Sequence, residues 1–368
     1  MVQKLYVASR KGLLRFSRSN DLWVMERSDF VGDPVSAVLH DPRNGALFAA
    51  LDLGHFGVKL HRSGDGGESW EELAAPAFPK SEEAGATGGD PAAPSVSLLW
   101  TLAAGGAGQP DRLWAGTIPG GLFVSDDLGQ SWSLVETLWN QPQRAQWMGG
   151  GFDDPGIHSI SIHPEDENRI AIGVSTGGVW LADDGSEHWT LAGKGLRAEY
   201  LPPESANDPL MQDVHLLARC ATEPDVIWCQ HHNGIFRSVD GGKSFREIEN
   251  ARPSAFGFAV AAHPKNANVA WFAPAIKDEC RVPVDQKFVV SRTSDGGDTF
   301  DVLDKGLPDA PSFDLVYRHA LAVDDTGDRL ALGTTTGNLW VGAEGGESWR
   351  LVSNYLPPIS QVLWVSTE

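Results

Sequence analysis

The sequence predicts an all-β fold, a seven-bladed β-propeller of four-stranded antiparallel blades, and three observations lead there. One segment recurs: Ser63-Gly-Asp65-Gly-Gly67-Glu-Ser69-Trp70 returns at Ser125 to Trp132, Ser238 to Phe245 and Thr293 to Phe300. The aromatic closing each copy falls at 23, 70, 132, 189, 245, 300 and 349. Those spacings suit one blade plus variable loops. The chain ends are also complementary, because the N-terminus lacks an inner strand that the C-terminus supplies. A toroid of this kind absorbs all 368 residues as a single domain, 1–368, where length alone suggests two or three domains.

The elements follow in order. The N-terminus reads as the second, third and outer strands of a blade, at Lys4 to Ala8, Leu13 to Ser17 and Leu22 to Glu26. A later unit shows the full pattern. An alternating strand, Ile157 to Ile162, meets a His163-Pro164 turn, then a second strand, Arg169 to Val174. Gly177-Gly178, a third strand from Val179 to Ala182, the recurring segment and an outer strand complete it. Period-2 alternation with Gly, Pro and Asp punctuation specifies antiparallel strands. The C-terminal run from Ile359 to Val365 reads as an inner strand with no blade after it. Pairing it with the N-terminal strands closes the ring and leaves no free edge. A long Ala/Gly/Pro insertion, Ala74 to Pro94, reads as a partner loop or a disordered one.

The recurring segment carries turn chemistry. Its Asp accepts hydrogen bonds from turn amides, its Gly supplies positive φ and its hydroxyl ties the second limb. The closing Trp or Phe buries its ring between sheets. Two copies are degraded, Ala182 to Trp189 and Gly342 to Trp349, and Ser17 to Trp23 keeps little beyond the aromatic. These residues are expected to be structural.

Composition narrows the function classes. Lysine and arginine total 29 against 49 acids, a net charge of −20. Such a surface repels phosphate backbones and anionic lipid, so nucleic acid and membranes are not expected partners. No apolar run reaches the ~20 residues that span a bilayer, and no secretory leader is visible. Three cysteines, an odd number without metal-ligand spacing, argue against a disulfide framework. The cytoplasm is the expected compartment.

The topology sorts side chains onto two faces. His40, His163 and His263 fall in His-Pro-type turns, His188 in a degraded copy of the recurring segment and His61 on a third strand, all structural positions. On the opposite face lie His55, His158, His215, His231, His232 and His319. His158, His215 and His319 fall near the starts of innermost strands, beside the central channel. Adjacent His231 and His232 end a second strand, where successive side chains point opposite ways, so at most one faces the channel. The same loops carry Glu199, Tyr200, Asp213, Lys277, Glu279, Arg281 and Arg318, with Trp139 and Trp147 in one long loop.

These residues define a candidate catalytic set, His158, His215, His232, His319, Glu199 and Asp213. The same four histidines are candidate ligands for a divalent ion such as zinc or iron. Trp147, Tyr200, His231, Lys277, Arg281 and Arg318 are candidate substrate contacts, the cations suiting an anionic group. The competing reading is a channel lined with polar side chains for solvation.

The recurring segment resembles the Asp-box of BNR-repeat propellers: sialidases, xyloglucanase-type glycosidases, sortilin-like receptors and photosystem II assembly propellers. Trp147 to His158 and Gln230 to Phe236 resemble bacterial proteins labelled BNR-repeat glycosyl hydrolases or exo-α-sialidases. The resemblance implies the scaffold, and fold does not give function. Sialidases are six-bladed, with an arginine triad, a Tyr/Glu pair and an Arg-Ile-Pro segment. Arg10, Arg15 and Arg18 lack that context, Arg-Ile-Pro is absent, and Glu199-Tyr200 are neighbours in sequence rather than residues from different blades. Sialidase activity is therefore not expected. Xyloglucanase-type enzymes use two propellers, and this chain supplies one.

Three functions remain open. The first is a hydrolase or lyase acting on a small polar ligand at the channel mouth. The second is a non-catalytic scaffold for a protein partner. The third is a glycoside hydrolase, which needs two channel-facing carboxylates about 5–9.5 Å apart.

Overall fold

The computed structural model describes residues 2–20, 22–79 and 94–367. Its strands form seven four-stranded antiparallel sheets arranged in a ring, each inner strand packing on the next around the channel. Blade one joins the termini: Ile359–Thr367 lies innermost, followed by Val2–Ser9, Gly12–Ser19 and Leu22–Asp29. The closing register pairs Leu5 with Trp364 and Val7 with Val362. Gln361 fixes this strand sideways, accepting from the Val38 amide (2.8 Å) and donating to the Val38 carbonyl (2.9 Å) of blade two. The expected insertion falls mainly on residues 80–93, outside the described residues.

Burial within each blade follows its radial position. Second strands are sandwiched between neighbouring blades, so Leu113–Ile118, Ile227–His231 and Ala270–Pro274 are buried along their whole length. Outer strands have one face in water, and Leu22–Asp29 is mostly exposed. The largest fully buried side chains, Trp114, Trp180, Trp228, Trp271, Phe48 and Phe123, fill the gaps between blades. Each contributes roughly 1.5–3 kcal/mol of transfer free energy.

The recurring turns behave as their residue types require. Asp65 Oδ1 accepts from the Ser69 amide (3.0 Å), while its Oδ2 accepts from the Ser69 hydroxyl (2.6 Å). Ser63 Oγ receives the Gly67 amide at 2.8 Å. The same pattern holds around Asp127, Asp240 and Asp295. In one degraded copy His188 replaces the hydroxyl residue, its Nδ1 lying 2.7 Å from Asp184 Oδ2. Neighbouring blades also read these turns. Arg15 donates to the Gly66 carbonyl (2.7 Å) and Trp271 to that of Gly345 (2.8 Å).

Helix is scarce. Among the described residues the one α-helix is Glu136–Trp139, and no helix is long and apolar enough to cross a membrane. The three cysteines are free thiols.

Candidate functional site

The site is built on irregularities in the inner strands. Pairing skips Trp100 between Leu99 and Thr101, His158 between Ile157 and Ser159, and His215 between Val214 and Leu216. In blade six it jumps from Gly257 to Val260, leaving out Phe258 and Ala259. A bulged residue leaves the ladder, and its side chain is re-aimed. The bulges of blades three to six thus turn one side chain each toward one end of the channel. In blade seven, Arg318–Ala320 form a 3-10 turn just before the inner strand.

These side chains touch in an arc across five blades. Trp100 meets His158 edge-on at 5.3 Å, and His215 stacks on Phe258 at 4.4 Å. The buried Arg318 guanidinium spans the arc, 4.7 Å from the Trp100 ring and 5.6 Å from that of Phe258. His319 Nε2 lies 2.9 Å from the His158 carbonyl, which can only accept, so this nitrogen donates.

Asp213 and His232 join from blade five. The His232 amide donates to the Asp213 carbonyl (3.0 Å), and His232 Nδ1 lies 3.1 Å from Asp213 Oδ2. His215 Nε2 is 3.8 Å from the same oxygen, too far for a hydrogen bond. Ligand atoms of Asp213, His215 and His232 all lie within 4.8 Å of one another. Gly150 runs past this carboxylate, and a Cβ there would stand 3.0 Å from Asp213 Oδ1.

Charge in the cluster follows from burial and pairing. Burial opposes ionisation of Asp213, but the His215 and His232 rings and the Arg318 charge hold its carboxyl well below the usual range. Burial also lowers His232, yet the Asp213 contact outweighs it and raises that imidazole. Burial pushes His158 well below the ordinary histidine value, with Arg318 adding to the effect, and brings His319 down to about 4. His215 is lowered by burial against the pull of Asp213. Arg318 is itself pushed down to about 10 by burial. His158 Nε2, Asp213 Oδ1 and Arg318 Nε and Nη2 are buried without a hydrogen-bond partner among the described residues.

The remaining candidates are placed differently. Of the four histidines expected as ligands, only His215 and His232 join one carboxylate. His158 turns its Nδ1 to Ser159 Oγ (2.9 Å), and His319 is spent on a backbone carbonyl. His231 faces away from His232, against Phe236, with its Nδ1 accepting from the Asn233 amide. Trp147, expected to cover a ligand, is instead a core residue packed on Trp180 at 5.8 Å, because its loop folds back over blade four. Glu199 is exposed and paired with Arg197. Lys277 and Glu279 pair with each other at the surface. Tyr200 sits at the rim, 4.8 Å from the His232 ring, and Arg281 lies 5.1 Å over Phe258 while bonded to Asp278. Trp100, Phe258 and Gly150 were not singled out in the sequence. Trp100 and Phe258 occupy the inner-strand position of His158 and His215, which aligning the blades would have shown.

No protein-family model matches the chain, and no curated protein matches it. Solved structures do. The chain is similar to the GH74 enzyme of Niastella koreensis (TM-score 0.62, 14% identity, 94% of this chain and 51% of that one). It is also similar to an ancestral GH74 enzyme (TM-score 0.59, 17% identity, 90% of this chain and 38% of that one). YCF48 from Cyanidioschyzon merolae matches over 90% of this chain and 94% of its own (TM-score 0.56, 14% identity). The chain thus spans about half or less of the GH74 enzymes it matches. At these identities the likeness shows the shared propeller fold.

Proposed function

We propose that the channel-mouth cluster is the active site of a hydrolase or lyase for a small anionic substrate, assisted by a divalent ion on Asp213, His215 and His232. One observation carries this reading. His215 Nδ1 lies 2.6 Å from the Gly257 carbonyl, an acceptor, so the proton of the neutral ring is on Nδ1. Its Nε2 lone pair therefore faces the Asp213 carboxylate across 3.8 Å. Two electron-rich atoms held in that geometry call for a cation between them. A carbonyl behind the distal nitrogen is the usual support of a metal-bound histidine. Two histidines and a carboxylate suit zinc or ferrous iron.

The other groups supply the rest of a reaction site. The unpartnered nitrogens of Arg318, held beside Trp100 and Phe258, suit a carboxylate or similar anion. With its proton on Nδ1, toward Ser159 Oγ, His158 would offer Nε2 as a neutral base or ligand. A bound ion would activate water or polarise a carbonyl. The glycoside hydrolase reading has less support, since the cluster contributes one carboxylate, Asp213. We also read the chain as one domain of the Asp-box class, on the strength of its turn pattern. A partner-binding scaffold has the support of exposed apolar side chains, Phe152, Tyr200 and Tyr317 at the rim and Phe56, Phe313 and Tyr355 elsewhere.

The test is turnover of a panel of small carboxylate-bearing esters, amides and hydroxy acids, before and after chelation, by the parent, His232→Ala and Arg318→Met. Activity that falls at least about a hundredfold in both variants supports the site. Activity lost in the variants but indifferent to chelation keeps the site and discards the ion. Full activity in both variants overturns the site.

A further inference from the structure

The opposite mouth of the channel holds a second feature, independent of the histidine cluster. A cavity of about 600 Å³ opens there between the far ends of the inner strands of blades three, four and five. That volume is in the range of small-molecule sites. Its walls are largely apolar, with Ala103, Ile160, Ile162 and Leu217 contributing, and Arg219 lies at one side.

Arg219 distinguishes this cavity from a solvated funnel. Its Nε donates to Ser161 Oγ (2.8 Å) and its Nη1 to the Pro224 carbonyl, both neutral acceptors. Nη2 makes no hydrogen bond among the described residues. No carboxylate there forms an ion pair with Arg219, although the chain carries 49 acids against 29 bases. The neighbouring arginines are neutralised: Arg43 by Asp41, Arg112 by Asp126 and Arg169 by Asp225. Burial, with the Arg169 charge adding to it, pushes Arg219 down to about 10. A largely desolvated cation without a counter-ion is stabilised by an anion supplied from outside.

We infer that this cavity binds a small monoanion with an apolar body, a carboxylate on Arg219 with its hydrocarbon part against Ala103, Ile160, Ile162 and Leu217. The single unneutralised cation sets one negative charge. The acidic surface disfavours polyanions.

Titration calorimetry with octanoate tests this, with octan-1-ol as the neutral match of similar size. The proteins are the parent, Arg219→Gln, Ala221→Trp and Asp213→Asn. Ala221 is an exposed residue on the cavity wall, so its replacement blocks the opening without disturbing the core. The parent is expected to bind octanoate saturably and octanol about tenfold more weakly or worse. Arg219→Gln and Ala221→Trp should each weaken octanoate by about tenfold or more, with Asp213→Asn unchanged. If Arg219→Gln does not fold, Ala221→Trp decides alone. No saturable octanoate binding, equal binding of octanol, or full binding by Ala221→Trp overturns the inference. So does loss confined to Asp213→Asn, which would place the anion at the histidine mouth.

Discussion

Asp240 holds its turn through both carboxylate oxygens, one on the Ser244 amide at 2.9 Å and one on the Ser244 hydroxyl at 2.6 Å. Asp240→Ala leaves those donors unsatisfied and should lower stability by ~1–3 kcal/mol in denaturant titration. Binding and turnover by the folded fraction should be unchanged; a variant that melts normally but loses function would assign the turn a further role. His319 has a different signature. Burial lowers its folded pKa to about 4 from the ordinary histidine value of 6.5. Below pH 6.5 the unfolded ring takes up a proton that the folded ring refuses until about pH 4. The His319 contribution to stability is therefore full above 6.5 and is lost as pH drops through that window, alongside those of the other buried histidines. His319→Gln should flatten this slope in melting curves from pH 7 to 4.5, and an unchanged slope would show that the ring titrates normally. At this scale the sequence was partly legible. Strand alternation correctly separated His231 from His232. Trp147 misled, because a tryptophan in a loop next to another reads as a ligand cover, whereas tertiary packing drew it beneath the loop into the core.

Blade one is the element on which closure depends. Its inner strand, Ile359–Thr367, pairs along the whole of Val2–Ser9 and is tied sideways to blade two through Gln361. Deleting Ile359 to Glu368 bares the edge of Val2–Ser9 and the flank of Val35–His40. Light scattering and calorimetry should then show aggregation or loss of the cooperative transition. A soluble truncated chain with the parent's Tm would show that closure contributes nothing. The strands were legible because alternation and turn residues are local signals. The expected Ile157 to Ile162, Arg169 to Val174 and Val179 to Ala182 differ from the observed strands by a few residues at their ends. The bulges were not legible. They depend on register between strands, and it is the bulge at His158 and His215 that swings these rings out of the ladder and into the cluster.

Across the whole molecule, the repeat announced the ring, and the ring sorted six of the histidines onto the face opposite the turns. What single positions could not supply was convergence. Asp213 immediately precedes the inner strand of blade five and His232 immediately follows its second strand, His215 lies within that inner strand, and Arg318 arrives from blade seven. Their meeting is a property of the closed toroid, not of any local pattern. Glu199 and Lys277 sit in loops of the same face, yet each is drawn to an ion partner at the surface. Metal analysis tests the central claim most directly. The parent and Asp213→Asn are purified without a polyhistidine tag, loaded with zinc or ferrous iron, dialysed and assayed by elemental mass spectrometry. The Asp213, His215 and His232 set predicts close to one ion per parent chain and a trace in Asp213→Asn. Equal metal in the two proteins, or none in either, would contradict it.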